Sequence, residues 1–385
     1  MANTLKLGAG KWATGKDTVL SFNDENNNFK PLPFSFSRAS SATVVNQSGL
    51  IETVGSGEPR IDFLDNTEGA LLLEPSRTNL FPYSEDFENS DWTKNSGTTI
   101  TNNYAISPDG SLNASRYLGT GASGLGDKFT LSATDYTISF WVKSNTSQNQ
   151  FCRIIVDSSN VSDNIEVTTE WKRITLTAQG SGLSNKTNGI FRDSDDNDID
   201  ILIYGAQLEV GSYATSYIPT SGQSGGVTRV EEISENLTNN INNFGTSNFS
   251  LFIESYIKEG YNARLKKMQT WTTRGYAFYL NAYGLRGRVY GDSQIDTNYV
   301  GIGSVINNSK NKALMVVDRV LNTITIYSNG VNVHSQSIAS IAGDSLDNTA
   351  PLEFQRAINV EAGLINDFKI YNTALNNAEA IALTQ

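Results

Sequence analysis

The sequence predicts an all-β protein with two β-sandwich domains preceded by an extended, β-rich N-terminal module. Apolar and polar residues alternate along much of the 385-residue chain, as they do in strands with one buried face. Glycine is abundant, at 32 residues, and clusters of Gly, Asn, Asp and Ser separate the alternating stretches. A Gly- and Ser-rich stretch at residues 219–229 divides the chain into two such regions.

Composition excludes several classes of function. The formal net charge of −11 argues against non-specific nucleic-acid binding, because neutralising phosphates requires clustered Lys and Arg. The only cysteine, Cys152, excludes an intramolecular disulfide framework and a cysteine-rich zinc site. The only histidine, His334, lies in an alternating strand and gives no support to a Ser-His-Asp triad or a multi-histidine metal centre.

The sequence also indicates where the protein is made. No stretch approaches the roughly 20 apolar residues that a membrane-spanning helix needs, so membrane insertion is not expected. The first residues, MANTLKLGAGKWATGKD, lack the apolar core of a signal peptide. We therefore expect synthesis in a reducing cytoplasm.

Residues 1–33 differ in charge from the rest of the chain. Lys6, Lys11 and Lys16 against Asp17 make the beginning net positive, and three glycines loosen it. This pattern predicts a flexible arm that docks on another protein. The alternative is an ordinary, loosely packed terminus.

Residues 34–80 predict short strands joined by turns. Asn46-Gln47-Ser48-Gly49 lies between apolar residues and is a hairpin signal, because Gly accepts a positive φ. Residues 71–73 are three leucines, typical of a buried strand, and EPSRTNL follows. This last run combines a fixed-φ proline with Arg77 and Asn79, which suits a strand leaving a core while its side chains hold a loop.

Five runs in this part of the chain, taken in order, resemble one known module. FSRASSAT, GLIETVG, EPRIDF, LLLEPSRTNL and YSEDF are similar to virion proteins of tailed bacteriophages, of the tail-fibre, head-fibre or spike type, and YATSYIPT at residues 213–220 resembles the same family. The resemblance implies a component of the virion that is made in the host cytoplasm and has capsid, portal or collar, or tail proteins as partners. It implies neither a ligand nor a reaction.

Residues 81–218 predict a β-sandwich. Strand patterns occur at residues 136–143, 151–156, 171–177 and 199–208. Their order and the tryptophans near them resemble the jelly-roll of carbohydrate-binding modules. No sugar site is assigned to Trp92, Trp141 or Trp171, and Trp141 lies in an apolar run that favours core packing.

Residues 219–229, which with Ile218 read IPTSGQSGGVTR, predict a flexible linker. Residues 230–385 then alternate again, and Ser328-Asn329-Gly330 predicts a tight hairpin. A final strand, turn and short helix follow at residues 363–383. This hairpin and tail resemble concanavalin A-like or laminin G-like sandwiches, which predicts the fold of the second domain but not its function.

Two stretches match part of a ligand-binding motif but lack other features that the motif requires. Residues 119–124 match G-x-G-x-x-G but are followed by no helix, which favours a turn over a dinucleotide site. Residues 193–200 resemble the start of a calcium loop, but Asp198 stands where Gly is needed and Tyr204 where Glu is needed. A solvated acidic loop is the main interpretation, and a looser calcium site is the alternative. No cofactor and no metal are predicted.

The stretch from residue 260 to 291 carries the candidate site. It contains Arg and Lys with no acidic residue, interleaved with aromatics. Aromatic faces stack on sugar rings, and Arg presents a fork to carboxylate or phosphate. The predicted ligand-binding residues are Trp271, Tyr276, Tyr279, Tyr283, Arg286 and Arg288. The alternative is that alternate aromatics fill the core while the cations form a solvated face.

The predicted function is that of a non-enzymatic structural component of a bacteriophage virion, forming a homo-oligomer, with host-surface polysaccharide as a further ligand. No catalytic residue is predicted. The alternative is a carbohydrate-active phage protein, either an adhesin or a polysaccharide depolymerase. Its 40 Asp and Glu residues offer many carboxylate pairs for glycosidic cleavage, but the sequence singles out none.

Overall fold

The chain divides into two compact units in a computed structural model that describes all residues except 1–3, 9–12, 16–17, 24–27, 65, 196, 237–243, 271–272 and 355–361. Unit 1 comprises Met1–Ser41, Val54–Pro75 and Glu231–Gln385. Unit 2 comprises Ala42–Thr53 and Ser76–Val230. The chain therefore passes between the units four times.

Nearly all of the regular secondary structure is β-strand. The strands of the first half are β1 (Thr4–Gly8), β2 (Ala13–Gly15), β3 (Thr18–Asn23), β4 (Asn28–Ser37), β5 (Ala42–Val45), β6 (Ile51–Val54), β7 (Arg60–Asp62), β8 (Ala70–Leu73), β9 (Arg77–Asn79), β10 (Thr93–Lys94), β11 (Thr98–Ile106), β12 (Leu112–Gly119), β13 (Gly124–Phe129), β14 (Asp135–Ser144), β15 (Gln150–Val156), β16 (Asn160–Val161), β17 (Ile165–Val167), β18 (Lys172–Gln179) and β19 (Lys186–Arg192). The remaining strands are β20 (Ile199–Val210), β21 (Val227–Arg229), β22 (Ile233–Asn236), β23 (Phe249–Ile257), β24 (Ala263–Lys267), β25 (Gly275–Asn281), β26 (Gly284–Tyr290), β27 (Gln294–Asp296), β28 (Ser309–Asp318), β29 (Thr323–Ser328), β30 (Val331–Ser337), β31 (Glu353–Phe354) and β32 (Gly363–Tyr371). The described helices are a single 3₁₀ turn, Ala339–Ile341, and α1, Asn377–Thr384.

Unit 1 is a sandwich of two sheets. One sheet has the order β30-β29-β28-β23-β32-β8-β7, with β1 also pairing with β32, and the other has the order β2-β3-β4-β22-β31-β24-β25-β26-β27. Alternate residues of both sheets point into one shared apolar core. Its members include Leu251, Ile253, Leu265, Phe278, Leu280, Leu285, Met315, Ile326 and Phe368.

Unit 2 is a second sandwich. Its sheets have the orders β11-β12-β20-β14-β18 and β10-β13-β19-β15-β16, with β17 also pairing with β15. The shared core includes Tyr117, Leu125, Ile138, Phe140, Cys152, Ile154, Ile190, Ile201 and Leu208. The two cores together confirm the predicted all-β class with two β-sandwiches.

Several local predictions are also confirmed. Asn329 and Gly330 both have positive φ in the two-residue turn between β29 and β30. Residues 119–124 connect β12 to β13, as expected of a turn. Helix α1 begins at a capping box in which Asn376 and Glu379 each bond the other's backbone N–H.

The division of the chain differs from the predicted boundaries. The described parts of residues 1–33 are strands in the sheets of unit 1, where a flexible arm was predicted, because β1 and β4 find partners in β32 and β22. Residues 34–80 form no separate module and are shared between the two units. The predicted linker ends in β21, which pairs with β9 and so belongs to unit 2, and the last segment of unit 1 begins directly afterwards, at Glu231.

Three charged residues of the phage-like runs, Arg38, Arg60 and Glu74, form a buried network with Glu232 in unit 1. Arg60, fully buried, donates to Glu74 at 2.8 Å and to both carboxylate oxygens of Glu232, at 2.7 and 2.5 Å. Arg38 donates to the same Glu232 at 2.8 Å. Burial disfavours the charge on Arg60, but Glu232 and Glu74 outweigh it and raise the pKa of the guanidinium above its usual value. FSRASS, EPRIDF and LLLEPS therefore meet as parts of one ionic cluster.

Asn79, in the phage-like run LLLEPSRTNL, forms a buried hydrogen-bond network in unit 2. The fully buried Asn79 donates to the carbonyls of Ala206 and Ile218 at 2.9 and 2.8 Å. Its own carbonyl oxygen accepts from the N–H groups of Phe81 and Leu208. One amide side chain thus joins the end of β9, the strand β20 and the segment that follows β20.

The YATSYIPT segment folds back over β20 because of the turn at Gly211. Gly211 has a φ of +139°, and a Cβ atom there would lie 2.8 Å from Nη2 of Arg77. After the turn, Thr215 donates its N–H and its hydroxyl to the buried Glu209, at 2.8 and 2.7 Å. This placement explains why the segment is rich in small and hydroxylated residues.

Cys152 is buried in the core of unit 2, and burial raises the pKa of its thiol to about 12. We expect no reaction of the native protein with a thiol reagent at pH 8, since the thiolate is the reactive form. Titration with a chromogenic disulfide should detect no thiol in the folded protein and one thiol after denaturation. Rapid labelling of the folded protein would contradict the buried position.

In the part of the chain that the structure describes, no helix combines the length and the apolar character needed to cross a membrane.

Candidate functional site

The candidate stretch forms the β24-β25-β26-β27 end of the nine-stranded sheet in unit 1. Strand register places Arg264 opposite Tyr279, and Tyr279 opposite Arg286. Two residues before Tyr279 on β25, Ala277 lies opposite Arg288 of β26, and Arg288 lies opposite Asp296 of β27. Cations and aromatics therefore share the outer face of this sheet, while the intervening apolar residues enter the core.

Tyr276 is a correction to the predicted site. Its side chain is 1% exposed and belongs to the core of unit 1, packed against Phe244 and Phe249 at ring-centroid distances of 5.5 and 5.1 Å. The strand alternation that gives Tyr279 an outward position gives Tyr276 an inward one. The alternative that some of the aromatics fill the core is therefore correct for Tyr276. Trp271 lies outside the described residues.

Tyr279 lies on the outer face but is half-buried. Burial raises the pKa of its phenol to about 12, although the charges of Arg264, Arg288 and Arg286 act in the opposite direction. Strand register places Arg264 and Arg286 beside this tyrosine on the two neighbouring strands. A ligand would meet the edge of this cluster rather than an open aromatic face.

Arg286 and Arg288 converge on one carboxylate, that of Asp296. Arg286 binds it in a bidentate manner, with Nε to Oδ1 at 2.9 Å and Nη2 to Oδ2 at 2.5 Å. Nε of Arg288 donates to Oδ2 at 2.8 Å. Burial would raise the pKa of Asp296, but these donors hold it below its usual value. The predicted basic surface is therefore partly neutralised from within the protein, by a residue just beyond the stretch that the sequence singled out.

Among the described members of the predicted set, Tyr283 is the exposed one. It occupies the turn between β25 and β26, and 74% of the residue is exposed. Its ring makes an edge contact with Tyr299 at a centroid distance of 6.3 Å. Tyr299 in turn lies 5.3 Å from the guanidinium of Arg286 and accepts a hydrogen bond at 3.2 Å from the amide of Asn281.

We call Asn281, Tyr283, Arg286, Asp296 and Tyr299 the tyrosine platform. Tyr299 and Asp296 were missed from the sequence because they follow the candidate stretch. A signal existed: an acidic residue a short turn beyond two arginines on an alternating strand predicts a cross-strand ion pair. A platform of this kind can pack an aromatic ring against the apolar face of a sugar while amide, guanidinium and carboxylate groups bond its hydroxyls.

The acidic loop predicted as an alternative calcium site is organised by its own hydrogen bonds. The carboxylate of Asp193 accepts from the N–H of Asp195 and from the N–H and side chain of Asn197. Asp200 is bound in a bidentate manner by Arg116 at 2.8 and 2.7 Å. Over the described ranges, no three His, Cys, Asp or Glu residues come together in a way that could hold a metal ion.

Two carboxylates in unit 2, Glu85 and Asp109, have pKa values displaced in opposite directions. Burial and the charge of Asp109 raise the pKa of Glu85, whereas hydrogen bonds led by that from Asn113 outweigh burial and lower the pKa of Asp109. Such a pair can serve acid and base roles. Here the Tyr204 hydroxyl donates to both carboxylates, and Tyr217 donates to Glu85 at 2.8 Å. Both carboxylates are therefore occupied by hydrogen bonds from neighbouring side chains of unit 2.

Comparisons with known proteins assign the chain to no family. A search of known families and a search of curated proteins found no match. The CBM40 of the Ruminococcus gnavus IT-sialidase, bound to α2,3-sialyllactose, is similar over 37% of this chain and 84% of its own, with 15% identity and a TM-score of 0.30.

Two toxin binding domains are similar to the same degree. The botulinum neurotoxin serotype D binding domain has 14% identity over 40% of this chain and 39% of its own, with a TM-score of 0.32. The binding domain of Paraclostridial Mosquitocidal Protein 1 has 23% identity over 40% of each chain, with a TM-score of 0.31. The match thus spans about two fifths of the toxin domains. Neither the fold nor the function of this chain is inferred from likeness of this degree.

Proposed function

We propose that the protein is a non-enzymatic structural component of a bacteriophage virion that attaches to a host-surface glycan through the tyrosine platform of unit 1. The virion assignment is supported by the five ordered runs that resemble fibre and spike proteins. Arg38, Arg60, Glu74 and Asn79 of these runs are buried and hydrogen-bonded, which suits an architectural element. Other virion proteins, from the capsid, the portal or collar, or the tail, are its assembly partners.

The observation that carries the glycan proposal is the exposed ring of Tyr283 beside Tyr299, Asn281 and the Arg286–Asp296 pair. An exposed aromatic next to fixed donors and acceptors offers the two contacts that a sugar needs, one apolar and one directional. Since Asp296 offsets Arg286, the platform suits hydroxyl groups as well as an anionic substituent.

We expect Tyr283→Ala to weaken binding to host-surface polysaccharide about tenfold, because one stacking contact of ~1.4 kcal/mol is lost. The free energy of unfolding should change by about 0.5 kcal/mol or less at so exposed a position. Binding is measured on immobilised polysaccharide by surface plasmon resonance, and stability by thermal denaturation.

Tyr104→Ala is the matched control. Tyr104 in unit 2 is 45% exposed and lies 5.3 Å from the guanidinium of Arg116, which is bound to Asp200 as Arg286 is bound to Asp296. This variant should bind like the wild type. Equal losses in both variants, or none in Tyr283→Ala, would overturn the assignment of the platform. Release of reducing ends from the polysaccharide by the wild type would favour a depolymerase instead, and absence of the protein from purified virions would refute the virion proposal.

A further inference from the structure

Strand β30 forms one edge of the eight-stranded sheet in unit 1 and is uncharged. The chain contains no Asp, Glu, Lys or Arg from Val320 to Gly343, although such residues make up 18% of the whole. This range includes β29, β30 and the turns at both ends of β30. An uncharged edge strand of seven residues presents backbone groups to which another strand can add.

Seven other edge strands of the large sheets are protected. Strands β2, β7 and β27 have three residues each, and β10 and β16 have two. Strand β18 carries Lys172 and Arg173 at its start. Strand β11 is interrupted by register shifts between Thr101 and Ala105. Short length, charge and bulges are the usual devices against edge-to-edge pairing, and β30 has only the last of them.

That device in β30 is a single bulge. Ile326 pairs with His334 and Tyr327 pairs with Asn332, so Val333 is an extra residue near the start of the strand. From His334 to Ser337 the pairing with β29 is regular. The regular part leaves a continuous edge on which a second strand can align.

Exposed apolar side chains lie at both ends of this edge. Val331 at the start of β30 is 58% exposed. At the opposite end, the turn before β29 exposes Val320 and Leu321 by 80% and 71%, because Asp318 bonds the N–H groups of both residues and holds the turn. Ser337 at the end of β30 pairs with Thr323, which places this turn beside it.

We propose that β30 pairs antiparallel with β30 of a second copy of this chain about a two-fold axis. A two-fold interface is self-complementary, so Val331 of each copy approaches Val320 and Leu321 of the other. Each chain carries a net charge of −11, and two copies repel each other least where neither presents charge. An uncharged edge is thus the surface on which this acidic protein self-associates.

Cysteine cross-linking tests the geometry, because directly opposite residues in antiparallel strands have Cα separations within disulfide range. Asn332→Cys, Ser335→Cys and Ser337→Cys are made singly in the full chain and oxidised mildly. Cys152 is buried and should not contribute. We expect disulfide-linked dimers in at least one variant, with the yield falling on either side of the axis. Thr175→Cys on the exposed part of the charged edge strand β18 is the matched control and should stay monomeric.

Ser335→Lys tests the association without cross-linking. Sedimentation of the wild type should give twice the chain mass at high protein concentration, and Ser335→Lys should raise the dissociation constant at least tenfold with an unchanged melting temperature. A monomeric wild type at ~100 μM, far above the Kd of a specific complex, would overturn the proposal. So would equal cross-linking at all three positions, which indicates parallel strands, or unchanged association in Ser335→Lys, which indicates another surface.

Discussion

Replacing Arg60 with alanine should lower the free energy of unfolding of unit 1 by about 3–5 kcal/mol, as expected for the loss of one partner from a buried ion pair. Arg60 bonds both Glu74 and Glu232, and all three side chains are fully buried. Arg38 still bonds Glu232, and Tyr261 still bonds Glu74, but neither replaces the central charge. Without Arg60, the carboxylates of Glu74 and Glu232 lie in a low-dielectric interior, and the Arg38 guanidinium does not offset both of their charges.

Arg116→Ala is the control for this prediction. Arg116 binds Asp200 with the same two-point geometry, but the side chains are 29% and 21% exposed. Its removal should cost about 1 kcal/mol or less, since solvent screens the pair and rehydrates the remaining carboxylate. Chemical denaturation of both variants measures the difference. Similar losses would show that burial does not govern the strength of the cluster.

Replacing Asn79 with alanine should destabilise unit 2 by about 3 kcal/mol or more. The side chain satisfies four backbone groups in a fully buried position, two carbonyls and two N–H groups. Alanine removes the side-chain partner of all four groups. Each unsatisfied buried group costs about 1–3 kcal/mol, so even partial relaxation leaves a large loss.

Asn149→Ala provides the comparison for Asn79. Asn149 is exposed and makes one hydrogen bond, to Glu166 at 2.8 Å. A surface substitution of this kind should move stability by about 0.5 kcal/mol or less. Urea denaturation followed by the far-UV circular dichroism of both variants tests the contrast. A loss below ~1 kcal/mol for Asn79→Ala would mean that the backbone groups find other partners or water.

Local sequence signals were sufficient for the fold class, for the Asn329–Gly330 turn and for the capped helix α1. In each case the interactions that decide the structure lie within a few residues of one another. Alternation likewise indicated that residues of β25 face both ways. It did not reveal which face Tyr276 takes, because that depends on how the strand joins the core of unit 1.

The parts that the sequence did not reveal depend on distant contacts. One partner of Arg60, Glu232, lies far away along the chain, so the run EPRIDF by itself does not reveal the buried cluster. Asp296 falls outside the acid-free stretch but folds back beside Arg286 through the hairpin of β26 and β27. The composition of a short stretch of sequence gives its local charge, whereas the pairing of strands determines which charged residues come into contact.

The four passages of the chain between the two units have a consequence for the order of folding during synthesis. A ribosome releases the chain from its N-terminus, and domains generally fold as units when their residues have emerged. Unit 2 has all of its residues once Val230 is out, whereas the first strands of unit 1 must wait for partners that begin at Glu231. Strands β7 and β8 therefore remain without the β32 strand that later pairs with β8 until translation is almost complete. The N-terminal residues of unit 1 are thus the segment that most needs protection from aggregation in the nascent chain.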